Sequence, residues 1–241
     1  MIIGIILTLI SGLFFLVGIL SLKDKKDKDK TVNFTIALAF VVMIGLLVFD
    51  LLPELIETKN FLLAIPALVG FILLIILDKL IPHHHHDHTE KHCDKHDHEL
   101  HLNHIGIVTI MALAIHNMIE GLTLYNITLS SVESGILMML SISLHNIPLG
   151  FQIGNSLKTK KYSNLLIFIL CISCFIGELL LILFGSLNEI IINILLALTF
   201  GMLLYLLIFE LFGEIKNSLN KKESIYGIII GIMILLITMI I

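Results

Sequence analysis

Long apolar stretches follow one another through almost the whole chain. A helix of about 18 residues or more, which rises about 1.5 Å per residue, can cross the roughly 30 Å of hydrocarbon in a bilayer. A backbone in lipid must satisfy its own hydrogen bonds, so such stretches fold as membrane-spanning helices. Eight spans are predicted, at residues 1–22, 33–56, 61–81, 104–128, 132–157, 163–187, 191–212 and 225–241.

The composition supports this fold class. Apolar residues make up 57% of the 241 residues and charged residues only 14%, whereas soluble domains carry about 25% charged residues. We therefore predict an all-α polytopic membrane protein of eight transmembrane helices, with residues 1–241 forming a single transmembrane domain. The first span is expected to remain in the mature protein, because no charged segment precedes it.

The distribution of the lysines predicts the orientation. Fourteen of the 15 lysines lie in or beside the segments after spans 1, 3, 5 and 7, and Lys59 alone lies on the other side. Cationic residues collect in the cytoplasmic loops of membrane proteins. This pattern predicts that both termini lie on the outer side of the cell membrane, with an even number of spans between them.

The longest loop, residues 82–103, contains nine histidines among several acidic residues. So polar a segment cannot form a core, but it offers many ligands for Zn²⁺ and similar ions. We expect a His-rich cytoplasmic loop that buffers or senses metal; a solvated linker is the alternative interpretation.

A C-x-x-C pair at residues 171–174 lies in span 6. No second such pair accompanies it, and no soluble redox fold surrounds it. We therefore predict that Cys171 and Cys174 are apolar thiols of the core.

Two similar motifs lie in the middle of consecutive spans, H-N-M-I-E-G at 116–121 and H-N-I-P-L-G at 145–150. Ionisable side chains at membrane depth are costly and usually mark an ion or substrate path. His116 and Glu120 are four residues apart and share a helix face. Spans 4 and 5 are antiparallel neighbours, so His145 can reach the same depth.

The charges in these spans predict a cationic ligand. Glu120 on span 4 and Glu178 on span 6 have no lysine at their depth, since every lysine lies at a span end or in a loop. A carboxylate there must be protonated or neutralised by a cation from outside. Histidine, carboxylate and amide ligands suit Zn²⁺, Fe²⁺, Mn²⁺ or Cd²⁺ and match Ca²⁺ poorly.

Further acidic pairs lie near the span ends, at Asp50 and Glu54 on span 2 and at Glu210 and Glu214 on span 7. We expect them to attract cations at the two mouths of a path. Solvation at the membrane interface explains them equally well.

These motifs resemble those of the ZIP (Zrt/Irt-like) family of divalent metal transporters. The resemblance rests on both H-N motifs, on Glu178, on L-P-E at 52–54 and on the His-rich loop, and it covers essentially the whole chain. It implies a ZIP-type helix bundle that moves metal toward the cytosol as one bundle slides or rocks against the rest. It also implies two ion sites, the first formed by His116, Glu120 and His145 and the second by Asn117, Asn146 and Glu178.

One departure from the family pattern concerns the second motif, which usually reads H-N-x-P-E-G. The glutamate shared by the two ions is replaced here by Leu149. We therefore predict one well-held ion, bound by His116, Glu120, His145 and water, with the second site weak or absent.

Two other classes of function remain open from the residues alone. One is a metal-sensing or non-transporting relative, and the other is an intramembrane metalloenzyme with a zinc-activated water. The metalloenzyme is disfavoured because the chain contains no H-E-x-x-H motif. The expected partners are divalent metal ions and the lipid bilayer, without nucleic acid or an organic cofactor, and the glycine-bearing helix faces permit a homodimer.

Overall fold

The computed structural model describes residues 2–21, 28–80, 95–156, 163–185, 188–216 and 218–240. Regular structure in these residues is helical throughout, which confirms the all-α prediction. The α-helices are α1 (Ile2–Leu20), α2 (Lys28–Gly45), α3 (Leu52–Glu57), α4 (Ala64–Leu80), α5 (Lys95–Ser130), α6 (Val132–Ser156), α7 (Ser163–Phe184), α8 (Glu189–Tyr205), α9 (Phe212–Lys216) and α10 (Lys222–Thr238). Two π-helical turns, Leu46–Leu51 and Leu206–Leu211, and a 3₁₀ turn, Phe61–Leu63, complete the described elements.

Within the described residues, six helical segments are long and apolar enough to cross a membrane. They correspond to predicted spans 1, 2, 3, 5, 6 and 7. The other two predicted spans coincide with α5 and α10, and α10 is 17 residues long. The molecule is therefore a multi-pass helical membrane protein.

Part of the predicted His-rich loop, residues 82–103, lies within the described residues. Residues 81–94 lie outside the described residues, but α5 begins at Lys95, so the segment 95–103 is helical. The sequence from Lys95 to His104 contains no glycine or proline that would end a helix. The resulting helix of 36 residues is about 54 Å long and exceeds the roughly 30 Å hydrocarbon layer.

The helices form two bundles. In the site bundle, α1 packs against α6 and α7, and α5 packs against the same two helices. In the second bundle, α2 packs against α10 and α4 against α8, with α3 and α9 as short continuations. The two bundles meet mainly where α2 contacts α6 and where α5 contacts α8.

Glycines bring the helices of each bundle into backbone contact. A Cβ atom added at Gly121 of α5 would lie 1.9 Å from the carbonyl oxygen of Cys174, and one at Gly177 of α7 would lie 1.9 Å from that of Met118. Gly70 and Gly201 make the same reciprocal contact between α4 and α8. Small residues of this kind let membrane helices pack closely.

The close glycine contacts in the described residues all join helices of the same bundle. Within the part of the chain that the structure describes, the site bundle and the second bundle meet without such a contact. Each bundle is thus tightly packed internally, whereas the surface between them is formed by side chains.

The two π-helical turns have similar sequences. Leu46–Leu51 reads L-L-V-F-D-L, and Leu206–Leu211 reads L-L-I-F-E-L. Pro53 lies just after the first turn and cannot donate a backbone hydrogen bond, which favours a local widening there. Such π turns occur frequently at functional sites, and this one carries Asp50.

Replacement of Gly177 by alanine should destabilise the α5–α7 contact, because the added methyl group overlaps the Met118 carbonyl. Overpacking of this kind costs about 1–3 kcal/mol, or roughly 2–12 °C in the midpoint of thermal unfolding. Gly213→Ala is the matched control, since nothing lies within 4 Å of its added Cβ. Equal midpoints for the two variants in detergent would contradict this packing.

Candidate metal centre

Two consecutive helices position the central side chains. His116 and Glu120 lie one turn apart on α5, and His145 lies on α6. Only Ser131 separates the two helices, so they run antiparallel and bring the three side chains to one depth. The helix α6 continues through Pro148.

One carboxylate oxygen lies between the two imidazoles. Glu120 Oε1 is 3.1 Å from His116 Nε2 and 2.9 Å from His145 Nε2. One ligand atom from each of the three residues lies within 4.8 Å of the others. Ligands bound tetrahedrally to zinc at about 2.0–2.1 Å are roughly 3.3 Å apart. The three side chains are therefore close enough to share one ion after a small rearrangement.

Several polar atoms of this group are buried and unpartnered within the described part of the chain. They include Nδ1 of His116 and Oε2 of Glu120. His116 is 2% exposed and the Glu120 side chain 12%. A buried polar atom without a partner costs about 1–3 kcal/mol. Because these nitrogen and oxygen atoms can still bind a partner, the group suits a cationic ligand.

The two asparagines behave differently from each other. Asn146 donates from Nδ2 to the backbone carbonyl of Ser11 on α1, at 3.1 Å, and its Oδ1 has no partner among the described residues. Asn117 is fully buried, and neither atom of its amide is partnered there.

The carboxylate of Glu178 faces α1. Its Oε2 accepts a short hydrogen bond from the hydroxyl of Thr8, and its side chain is fully buried. Gly4 lies beside it: an added Cβ there would be 3.7 Å from Glu178 Oε1. The structure thus brings together His116, Glu120 and His145, and it places Glu178 in the α1–α7 contact.

Leu149 lies one turn after His145 on α6 and is fully buried in the apolar core. It does not line the cavity beside the His–Glu–His group. The position at which the related motif carries a glutamate is therefore packed with hydrocarbon.

A cavity of about 220 Å³ leads to the three ligands. The site bundle contributes His116, Glu120 and His145 to its wall, and the second bundle contributes Asp50 and Glu54. The centre therefore lies at the surface between the bundles, with additional carboxylates on the facing wall.

Polar residues on α1 and α8 were missed by the sequence reasoning. Thr8 and Ser11 are fully buried and contact Glu178 and Asn146. Their spacing of three residues, together with Gly4 and Gly12, marks one small and polar face of α1 that the sequence could have revealed. Thr199 of α8 lines the cavity with an unpartnered hydroxyl, but no sequence pattern distinguishes it.

The cysteines agree with their predicted role. Cys171 and Cys174 are free thiols, and both are buried in α7. The backbone carbonyl of Cys171 packs against Gly12, and that of Cys174 packs against Gly121. This segment of α7 therefore packs closely against the neighbouring helices.

Comparison with known proteins agrees with this site. The sequence model of the ZIP zinc transporter family matches residues 82–239, which include all six predicted ligands. The chain belongs to the ZIP zinc transporter family. It is therefore a multi-pass membrane protein that transports divalent metal ions, and it is not an enzyme.

Three relatives match over almost their entire length, and each is described as the zinc transporter ZupT. The protein from Oceanobacillus iheyensis is 27% identical, over 99% of this chain and 97% of the relative. The Campylobacter jejuni protein is 26% identical, over 98% and 95% of the two chains, and that of Streptococcus mutans is 26% identical, over 97% and 95%.

The variant Glu120→Gln should lose most metal binding, because it removes the charge and one strong ligand between the two imidazoles. Glu178→Gln should retain one bound ion, since the glutamine can still accept the Thr8 hydrogen bond. The measurement is zinc stoichiometry of the purified proteins by elemental analysis and calorimetry. Similar losses in both variants would contradict the separation of Glu178 from the His–Glu–His group.

Proposed function

We propose that this ZIP-family chain transports Zn²⁺ toward the cytoplasm through a site formed by His116, Glu120 and His145. The observation that carries the proposal is the contact of one Glu120 oxygen with both imidazoles, at 3.1 and 2.9 Å. The same nitrogen and oxygen ligands accept Fe²⁺, Mn²⁺ and Cd²⁺. Zinc is preferred because the relatives are zinc transporters.

One ion should be held at a time. Three protein ligands leave one position of a tetrahedral zinc ion for water. Glu120 supplies one negative charge, and Asp50 on the facing wall lies close enough to interact electrostatically with His145 and Glu120. Asn117, Asn146 and Glu178 would form a weak second site at most, because Leu149 brings no charge and Glu178 is held by Thr8.

Asp50 and Glu54 provide the approach to the site. Both line the cavity that reaches the three ligands, and carboxylates in a narrow cavity raise the local concentration of cations. A hydrated ion can exchange water for carboxylate oxygens there before it reaches the imidazoles. We assign this cavity to the entry side and the Glu210–Glu214 pair to the exit side.

The proposed topology has eight transmembrane helices in the cell membrane, with both termini outside. It counts α5 and α10 as spans in addition to the six apolar segments, and it places 14 of the 15 lysines in the cytoplasm. Lys59 and the nearby entry cavity then face the outside. Gly150 is already used for packing against Phe15, so a homodimer would require another surface.

Movement of the site bundle against the second bundle would expose the ion to alternate sides. All three ligands belong to the site bundle, whereas Asp50 and Glu54 belong to the second bundle. Among the described residues, close glycine contacts occur within the bundles and not between them. This arrangement suits a rigid displacement about a midplane site.

The test is zinc and cadmium uptake into proteoliposomes that contain the purified protein. His116→Ala and Glu120→Gln should each reduce the uptake rate at least about 100-fold, because each removes a ligand worth several kcal/mol. Cys171→Ser is a control in the same bundle that leaves the ligands intact.

The outcomes separate transport from its alternatives. Uptake in the wild type and the control, but not in the ligand variants, would support the proposed site. A wild-type protein that binds one zinc ion yet gives no uptake would instead favour a metal sensor. Uptake that persists in both ligand variants would remove the site from α5.

Leu149→Glu should raise the number of bound zinc ions from one toward two. The new carboxylate would lie one turn from His145, where burial makes an unpaired charge costly and a second cation favourable. Leu149→Gln controls for shape and polarity without the charge. Native mass spectrometry measures the stoichiometry, and an unchanged count of one in Leu149→Glu would contradict the vacated-site hypothesis.

A further inference from the structure

A second cavity, of about 720 Å³, lies on the side of α3 opposite the metal cavity. Its walls are formed by α3, α4 and α8 of the second bundle, and we call it the α3 groove. This volume lies in the range of sites for small amphiphilic ligands, about 300–1,000 Å³. None of the three metal ligands lines it.

The lining of the α3 groove is apolar except at one end. Leu55, Ala67 and Phe71 are representative of its walls, while Lys59 and Asn60 lie at the end where α3 turns into α4. Hydrocarbon on the walls suits an acyl chain, and a cation at the rim suits an anionic head group.

The turn that carries Lys59 is well defined. Lys59 has a φ of 51°, and its backbone N–H donates to the carbonyl of Ile56 at 3.0 Å. The side chain of Asn60 accepts from the N–H of Leu62 at 3.1 Å. The Lys59 side chain forms no ion pair with any described residue, and this lysine is the exception to the cytoplasmic distribution of the others. The membrane orientation of the protein therefore does not explain the presence of Lys59.

The groove opens toward lipid. Ile56 is 65% exposed, Leu68 is 59% exposed and Phe61 is 95% exposed. In a membrane protein, side chains exposed to this degree at the end of a span contact the bilayer. Lipid thus has direct access to both the walls and the cation.

We propose that the α3 groove binds one anionic phospholipid, whose acyl chain lies against α3, α4 and α8 and whose phosphate pairs with Lys59. The apolar cavity and the unpaired cation at its rim together carry this assignment. The occupant is a lipid rather than a second copy of the chain because the polar end presents a cation and no complementary acid of the groove lies beside it.

The position of α3 gives the lipid a structural consequence. Leu52, Leu55 and Ile56 face the groove, while Glu54 faces the metal cavity. In the part of the chain that the structure describes, this helix of six residues carries Glu54 on one side and borders the groove on the other. Occupancy of the groove supports the segment that holds Glu54.

The test compares dioleoyl phosphatidylglycerol with dioleoyl phosphatidylcholine by native mass spectrometry of the delipidated protein. One cation near an anionic head group contributes about 1 kcal/mol, which is a preference of about five-fold. The wild type and Lys79→Glu, which changes a lysine at the other end of α4, should retain one phosphatidylglycerol with this preference. Lys59→Glu should retain the two lipids equally.

A second variant tests the groove itself. Ala64→Phe leaves Lys59 intact but fills part of the cavity, so retention of both lipids should fall at least three-fold. An unchanged preference in Lys59→Glu, unchanged retention in Ala64→Phe, or a lipid-free dimer in the wild type would each overturn the proposal. These measurements need no metal, so their outcome is independent of the proposed transport site.

Discussion

The contact of Glu120 with two imidazoles is the interaction on which the rest of the site depends. A carboxylate in the middle of a bilayer requires a positive partner, and the described residues place no lysine beside it. Two histidines from adjacent helices meet one of its oxygens instead, at 3.1 and 2.9 Å. Among the described residues, several buried polar atoms of this group have no hydrogen-bond partner, so the protein alone leaves the group incompletely satisfied. A divalent cation satisfies it better, and the chemistry of transport follows from that difference.

The surrounding packing keeps this group in register. Glycines join α5 to α7 and α1 to α6 at backbone contact, so the helices that carry the ligands behave as one body. The polar face of α1 takes up the groups that do not point to the ion: Thr8 binds Glu178, and the Ser11 carbonyl binds Asn146. Polar residues at membrane depth thus divide between a ligand group and a set of interhelical hydrogen bonds, which stabilise membrane bundles by modest amounts.

In the proposed function, the second bundle supplies the path rather than the ligands. Its α3 separates two cavities of opposite character, one lined by acids and leading to the metal group, the other apolar and open to lipid. Two helix-breaking residues explain why α3 is so short and separate from α2 and α4. Pro53 interrupts the hydrogen bonding of α2 and α3, and the left-handed Lys59 turns the chain toward α4. Metal access and lipid contact consequently meet at one turn of helix.

The sequence by itself determined the helical class, six of the predicted spans, and the choice of His116, Glu120 and His145 as one candidate metal group, because hydropathy and the four-residue spacing on a helix are local properties. The sequence also predicted the buried thiols of α7, since apolar surroundings extend on both sides of them. It did not show that residues 95–103 are helical, because so polar a segment gives no apolar signal. Only the tertiary structure decided that Glu178 faces Thr8, that Leu149 fills a core position, and that Asp50 shares a cavity with the ligands. The first two features depend on the rotation of helices within the site bundle, which is set by glycine contacts between residues far apart in the chain. The third depends on how side chains of the two bundles meet.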